Sequence, residues 1–536
     1  MRSNDDRMAA VRTFGRLPLY PFLVAVSPVI ALAAVNVEQM TPSEAARPLA
    51  VLLLGEAALM ALLFLATRNW HRAALLALCW TLLFIAYGQV YETLERATLL
   101  GEPLGRHRYL MPIWAAAAAG SVWLVRRVRE PERWAGVLNA AAGILIVIPL
   151  VQLGSYRVQV VQATGGDPEA GAQAQAELHR PQHPPDIYYI ILDGYARDDV
   201  LMSMFGFDNS AFLEELEARG FSIARKSQSN YAQTDLSIAS SLNYDYLQNL
   251  DESLGEESTV RAPLHDFIGE SRVEADLESI GYTTVAFDTG YKATELRRAD
   301  VFLNPRRQGL LKWIEQGDLS PFESILVYTT GLRVLADSSK ILPQFLVPGM
   351  NDPYERHRER VLYVLSSLAE LPKQPGPKFV FVHLVSPHQP FVFGPNGEPI
   401  NPSGAFTLVA DDNPPDPHLG SAGYIDQIRF LNSRLIPLLD EIVSESETPP
   451  VIIIQADHGP PVGSVSAEDR MRILNAYYLP GVGGTPVYDS ISPVNTFRVV
   501  FREYFEAELP LAEDIAYFSS YKRPYDYYIV PGEGSE

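Results

Sequence analysis

Four short segments of this 536-residue chain concentrate the side chains that can do chemistry. Asp193-Gly194-Tyr195-Ala196-Arg197 and Ala456-Asp457-His458-Gly459 each follow an apolar run, and each sets a glycine near an acid, where backbone can approach closely. Two carboxylates and one imidazole form a donor set that suits Mn²⁺, Mg²⁺ or Zn²⁺. The segment from Ser229 to Ser241, SNYAQTDLSIASS, is dense in hydroxyls ahead of a stretch with helical apolar spacing. A hydroxyl at a helix N-terminus either caps the helix or acts as a nucleophile whose alkoxide the helix dipole and a metal stabilise. In FVFVHLVSPHQPF, His383 and His388 lie at the end of an apolar run in a Pro-flanked loop, both within reach of one pocket. His388 is expected to contact substrate or move a proton, with His383 beside it on the substrate.

These residues need a frame that brings them to one edge. Ile187–Leu192, Thr283–Phe287, Lys378–Leu384 and Val451–Gln455 are short, nearly all-apolar runs of the kind that form buried parallel strands. Asn209–Arg219, Arg272–Ile280, Tyr354–Leu371 and Gly423–Val443 have helical spacing between them. Alternation of the two predicts a mixed or parallel sheet covered on both faces, with ligands held beyond the carboxyl ends of the strands. Residues 157–185, rich in Ala, Gln, Gly and Pro, are expected to be a flexible linker before an α/β domain over 186–536.

The first third of the chain differs in kind. Residues 1–155 carry 14 Lys and Arg against 10 Asp and Glu, whereas the remainder carries 29 against 54, within a total charge of −21. That acidic surface excludes nucleic acid as a partner, since phosphate binding needs a basic footprint. Leu17–Val35, Pro48–Ala66, Ala73–Val90, Tyr109–Val125 and Trp134–Tyr156 are apolar over the length a bilayer requires, which predicts a five-span module over 1–156. Arg2, Arg7, Arg12 and Arg16, then Arg68 and Arg72, then Arg126, Arg127, Arg129 and Arg133 fall on alternate loops. By that bias the N-terminus is inside the plasma membrane and the acidic domain is extracytoplasmic. Glu56 lies mid-span, where a carboxylate must face a partner or a cavity. The single cysteine, Cys79, falls in a span, which removes intrachain disulfides and cysteine-ligated zinc.

The order D-G-Y-A-R, S-N-Y-A-Q-T-D-L-S-I-A-S, H-L-V-S-P-H-Q-P-F and Q-A-D-H-G resembles the sulfatase-like branch of the alkaline phosphatase superfamily. With five spans ahead, the chain is most similar to lipoteichoic acid synthases and lipid phosphoethanolamine transferases. The resemblance implies a fold of the alkaline phosphatase and sulfatase type, with one divalent metal held by Asp193, Thr234, Asp457 and His458 and a second ion left open. It implies a threonine nucleophile, Thr234, whose Thr234-x-x-Ser237 context matches the transferases, and substrate contacts from His383, His388 and Arg197. A membrane lipid as donor and a glycan or lipid as acceptor follow from it as well. Two departures stand out: the transferases resemble G-E-[ST]-x-R where this chain has D-G-Y-A-R, and the formylglycine motif C-x-P-x-R or S-x-P-x-R is missing at 229–241. Phosphate esters are therefore expected over sulfate esters. A membrane-anchored hydrolase of soluble esters and a non-catalytic envelope-binding protein are the alternatives.

Overall fold

Runs that are apolar at every position leave no face for solvent, so they take the interior of a sheet. The computed structural model describes residues 17–532 apart from 39, 41, 96, 100–101, 165–175, 252–253, 306–319, 340–352, 401, 403–405, 407, 409–416, 463–464 and 485. Arg2, Arg7, Arg12 and Arg16, and the middle of the expected linker, lie outside the described residues. The chain divides into two compact units. One is Met1–Val158 with Leu310–Pro353 and Gly404–Phe406; the other is Gln159–Gly309 with Tyr354–Ser403 and Thr407–Glu536.

In the first unit, helices stand at all five expected places: α1 (Tyr20–Val35), α2 (Pro42–Thr67), α3 (Trp70–Glu95), α4 (His107–Arg127) and α5 (Trp134–Thr164). Among the described residues, three helical segments are long and apolar enough to cross a membrane, Ser43–Thr67, Trp70–Glu95 and Pro131–Ala163, with mean hydropathies of 2.5, 1.9 and 2.1. Length and composition thus support three of the five expected spans and leave the count of five unconfirmed. Helix α1 has 16 residues and reaches about 24 Å, short of the ~30 Å hydrocarbon core; α4 opens on His107-Arg108 and closes on Arg126-Arg127. Polar groups tie the helices together. Asn139 Oδ1 of α5 accepts the Leu19 and Tyr20 N–H groups at 3.0 and 2.8 Å, satisfying donors that the start of α1 would leave unpaired. Glu56, buried in α2, accepts the Thr81 hydroxyl of α3 at 2.8 Å.

Part of the expected 186–536 domain packs with these helices instead. In helix Pro321–Thr329, opened by a capping box of Ser320 and Glu323, Phe322 and Leu326 pack with Val29, Ala33 and Met40, and Glu323 pairs with Arg47. Arg333, 4% exposed, bonds Glu95 at 3.0 Å and sits 4.0 Å above the Tyr91 ring. Gly88 of α3 allows this approach, because a Cβ there would lie 2.3 Å from the backbone of residues 328 and 329.

The second unit is an α/β domain. Its strands are β1 (Ile187–Leu192), β2 (Ser222–Ile223), β3 (Thr283–Phe287), β4 (Val301–Leu303), β5 (Lys378–Leu384), β6 (Val451–Gln455) and β7 (Asn475–Tyr478), then a separate hairpin, β8 (Ala516–Ser520) and β9 (Arg523–Val530). Sheet order is β2-β7-β6-β1-β5-β3-β4; β6, β1, β5, β3 and β4 are mutually parallel, and β7 pairs antiparallel with β6 and β2. Ile187, Tyr189 and Ile191 join Leu236, Leu264, Leu277 and Phe497 in one core. The residues of opposite parity, Tyr188, Ile190 and Leu192, are buried as completely, so both faces are covered. The expected linker has structure at its described ends: α5 continues to Thr164, and Ala176 and Leu178 pack on this core, where His179 N donates to the Phe505 carbonyl at 2.9 Å.

Candidate active site

Register gathers the acids. Ile191 of β1 pairs with His383 of β5 on one side and Gln455 of β6 on the other. The residues just beyond, Asp193 and Asp457-His458, therefore emerge together at the carboxyl edge. Gly194 (φ 72°) turns the chain there, its N–H donating to Asp457 Oδ1 at 3.0 Å as His458 N–H does. A Cβ on Gly194 would approach Pro461 at 3.2 Å and His458 at 3.5 Å. Gly459 is tighter still: a Cβ would lie 2.3 Å from the Asp469 carbonyl oxygen.

Asp193, Asp457 and His458 are all buried, and one ligand atom from each lies within 4.8 Å of the others. His458 Nδ1 faces the Gly459 carbonyl at 2.9 Å; a carbonyl only accepts, so Nδ1 carries the proton and Nε2 offers a lone pair. That Nε2 is 3.5 Å from Asp193 Oδ1, 3.5 Å from Asp457 Oδ2 and 3.3 Å from Thr234 Oγ1. Ligands around a tetrahedral zinc at its usual bond lengths stand about 3.3–3.5 Å apart. Asp193 Oδ1 and Asp457 Oδ2 are buried without a hydrogen-bond partner, a costly state for a carboxylate unless a cation compensates it. Burial, reinforced by the Arg470 charge, holds the His458 imidazole well below its ordinary range and so neutral, as a ligand must be. Burial opposes ionisation of Asp193, but His388 and the bond from His383 outweigh it and keep the carboxyl below its usual range. Asp457 goes the other way, pushed up to about 6 by burial and then by the charge of Asp193. Two acids driven apart at one spot, orphan oxygens and a neutral Nε2 fit a divalent metal.

Thr234 is the first residue of helix Thr234–Leu242, entered from an extended Gln233. It is half-buried and lines a cavity of about 440 Å³ together with Asp193, His388 and His458. The other hydroxyls of its segment have structural bonds: Ser229 Oγ lies within hydrogen-bond distance of the Asp457 and Tyr231 carbonyls, donating its one proton between them, and meets Ser237 Oγ at 3.1 Å, and Ser240 Oγ donates to the Asp245 carbonyl at 2.7 Å.

His388 reaches the cavity from the β5 loop. Its N–H donates to the Asp193 carbonyl at 3.0 Å, its Nδ1 to the Gln389 carbonyl at 2.7 Å, and its ring centroid stands 6.1 Å from that of His458. His383 and Arg197, both expected on the substrate, are placed elsewhere. As a strand residue in register with Ile191, His383 is buried behind the acids, its Nδ1 2.8 Å from Thr294 Oγ1 and its Nε2 3.5 Å from Asp193 Oδ2. Arg197 is captured by Asp199, with bonds of 2.8 and 2.7 Å, and by the Ser227 carbonyl at 3.3 Å, and it does not line the cavity.

Sequence reasoning missed the opposite wall. Tyr291, Arg470 and residues 518–521 of the β8–β9 hairpin line it. Arg470 Nε and Nη1 donate to the Ala232 and Pro460 carbonyls, both at 3.0 Å, which ties the Thr234 segment to the His458 loop. A charged residue among E-D-R-M-R, twelve residues beyond His458, has no local mark of this role.

No family model and no curated protein matches this chain. Among solved structures, the C-terminal periplasmic domain of EptC from Escherichia coli, in complex with Zn, aligns at a TM-score of 0.43 and 12% identity, covering 67% of this chain and 96% of that one. The integral membrane protein lipooligosaccharide phosphoethanolamine transferase A (EptA) from Neisseria meningitidis aligns at 0.36 and 11%, covering 91% and 94%. A protein in the alkaline phosphatase superfamily from Vibrio parahaemolyticus aligns at 0.37 and 12%, covering 68% and 82%. The structural neighbours of this chain are thus phosphoethanolamine transferases and members of the alkaline phosphatase superfamily.

Proposed function

We propose that this protein is a membrane-anchored, divalent-metal-dependent transferase of phospho groups that works through Thr234. One observation carries the reading: a hydroxyl at a helix N-terminus stands 3.3 Å from the neutral nitrogen of a buried acid–imidazole cluster, on a cavity. Asp193, Asp457, His458 and Thr234 would hold the metal. When bound, it lowers the pKa of the Thr234 hydroxyl and neutralises charge on the phosphoryl oxygens.

Thr234, its proton released, forms a bond from Oγ to phosphorus while the bond to the leaving oxygen breaks, giving a phosphothreonine. The N-terminal N–H groups of its helix lie beside that charge. His388, its Nδ1–H committed to Gln389, gives the leaving oxygen a proton from Nε2. It recovers a proton from the acceptor hydroxyl, which attacks phosphorus and frees Thr234. A lipid headgroup as donor and a glycan or lipid hydroxyl as acceptor are what the motif resemblance implies. The proposed topology of five spans, N-terminus inside and the α/β domain extracytoplasmic, rests on the alternating arginines. Anchoring would raise the effective concentration of a lipid donor as a tether does.

The test uses the full chain in detergent with Mn²⁺ and a panel of phospholipids. A headgroup fragment on Thr234, found by peptide mass spectrometry, is the expected result. Turnover that is undiminished in Thr234→Ala overturns the reading. Hydrolysis of a nitrophenyl phosphodiester with no transfer to any hydroxyl acceptor replaces transferase by hydrolase while keeping Thr234.

A further inference from the structure

Arg261, just ahead of helix Ala262–Gly269, is 3% exposed and has no part in the chemistry above. Its Nη1 donates to both carboxylate oxygens of Asp235, at 2.8 and 2.7 Å. Its Nη2 donates to Gln233 Oε1 at 2.5 Å and to the Tyr521 carbonyl at 2.8 Å, and the guanidinium lies 4.2 Å from the Tyr521 ring. One planar cation thus holds both chain neighbours of Thr234 and the turn of the C-terminal hairpin. The hairpin is laced to the same segment at alternate residues: Tyr517 N donates to the Asn230 carbonyl at 2.8 Å, and Gln233 Nε2 bonds the Ser519 carbonyl and hydroxyl at 3.1 and 3.0 Å. Gln233, although it is the N-cap, makes no side-chain bond to its own helix. Its amide is spent on Arg261 and the hairpin instead, so the first turn takes its orientation from those partners.

A buried Arg–Asp pair is weak evidence for stability, because desolvation cancels most of the attraction and packed apolar residues serve as well. What an arginine offers here and a hydrophobe does not is a rigid fork that reaches several acceptors at fixed angles. We infer that Arg261 is a positioning residue for the transfer reaction: by clamping Gln233 and Asp235 it sets the direction in which Thr234 Oγ meets the acid–imidazole cluster, and it locks the hairpin in as the facing wall. This inference rests on the reading of Thr234 as the nucleophile.

The experiment measures kcat, KM and Mn²⁺ affinity for the full chain, with a nitrophenyl phosphodiester as substrate and titration calorimetry for the metal. The variants are Arg261→Lys, Arg261→Ala, the neutral pair Arg261→Gln with Asp235→Asn, and Thr234→Ala. The neutral pair leaves no unpaired buried charge and keeps the test valid if Arg261→Ala does not fold. Expected for the pair is a fall in kcat of about 100-fold, the scale of a 1 Å misplacement of a reacting group, with KM and Mn²⁺ affinity within about threefold of the wild type. In Arg261→Ala, guanidinium ion in the buffer should restore part of the lost kcat, while Thr234→Ala should not respond. A folded neutral pair with kcat within threefold of the wild type overturns the inference. Parallel loss of Mn²⁺ affinity and kcat overturns it too, since Arg261 would then support the metal centre as a whole. Full turnover in Thr234→Ala sinks the nucleophile reading separately.

Discussion

The cavity at Thr234 has two walls that are built in different ways. One is the carboxyl edge of the sheet, where Asp193, His383 and the Asp457-His458 pair are fixed by the register of three parallel strands. The other is the hairpin with Tyr291 and Arg470, held by side-chain bonds that join residues far apart in the chain, such as Arg261 to Tyr521. A wall set by register carries its function in the residue at each strand end. A wall set by bonds across the chain carries it in residues whose types mean little until their partners are known. The first wall should therefore fail at single ligands, whereas the second should fail gradually and in KM or kcat without loss of the metal.

The largest effect belongs to the first wall. Asp457→Asn keeps the shape of the side chain and the acceptor for the Gly194 and His458 N–H groups, yet removes a carboxylate from the cluster. Its Mn²⁺ affinity should fall by more than the about 10–100-fold that outer contacts are worth, with turnover lost in parallel. His383→Asn, one layer back and bonded to Thr294, should fall within that range. Calorimetric titration of both proteins checks the order. Equal losses would mean that His383 is itself a ligand and that the wall is deeper than described.

How much could be read in advance follows the same division. Ile187–Leu192, Thr283–Phe287, Lys378–Leu384 and Val451–Gln455 form strands with the expected boundaries, because an all-apolar run flanked by helical spacing has one stable place to go. Once they are parallel neighbours, Asp193 and Asp457 must meet. Nothing local marks β7 as the antiparallel partner of β6, or places the Tyr-rich end of the chain against Thr234. Arg197 misled because D-G-Y-A-R directs attention to its arginine, whereas Asp199, two residues on, takes that side chain. The membrane spans divide likewise: apolar character placed a helix at all five positions, but length and composition support a crossing at only three, since α1 stops at Asn36 after 16 residues and α4 is less apolar.

An intermediate effect concerns pH. Asp457, held near 6 when folded, binds its proton more tightly than in the unfolded chain, where an aspartate titrates near 3.9. The metal-free protein should therefore lose stability from this group as pH rises from about 4 to about 6, by roughly 1–3 kcal/mol. Asp193, held low, is ionised in the fold throughout that window and in most of the unfolded chains above about pH 4.5, so its opposing slope is small there. With Mn²⁺ in excess the trend should reverse, because ligands bind a metal only when deprotonated. Thermal unfolding followed by near-ultraviolet circular dichroism of the tyrosines, with and without Mn²⁺ at pH 4.5 and 6.5, reads the difference. Parallel curves would separate Asp457 from the metal and leave the first wall without its second carboxylate.

The smallest expected effect lies on the second wall. Tyr521 presents a half-buried ring to the cavity, while its carbonyl holds Arg261. Tyr521→Ala removes the ring and its stacking on Arg261 but keeps the carbonyl, so the hydrogen-bonded clamp on Gln233 and Asp235 survives and the main change is to the surface facing the transferred group. KM should rise about 3–10-fold, as expected when one contact side chain worth about 1 kcal/mol is lost, with kcat and Mn²⁺ affinity close to the wild type. Steady-state kinetics on the same phosphodiester decide it. A fall in kcat at constant KM would show that the ring acts through Arg261 on Thr234, and the hairpin would then share the task of aiming the nucleophile with the sheet edge across the cavity.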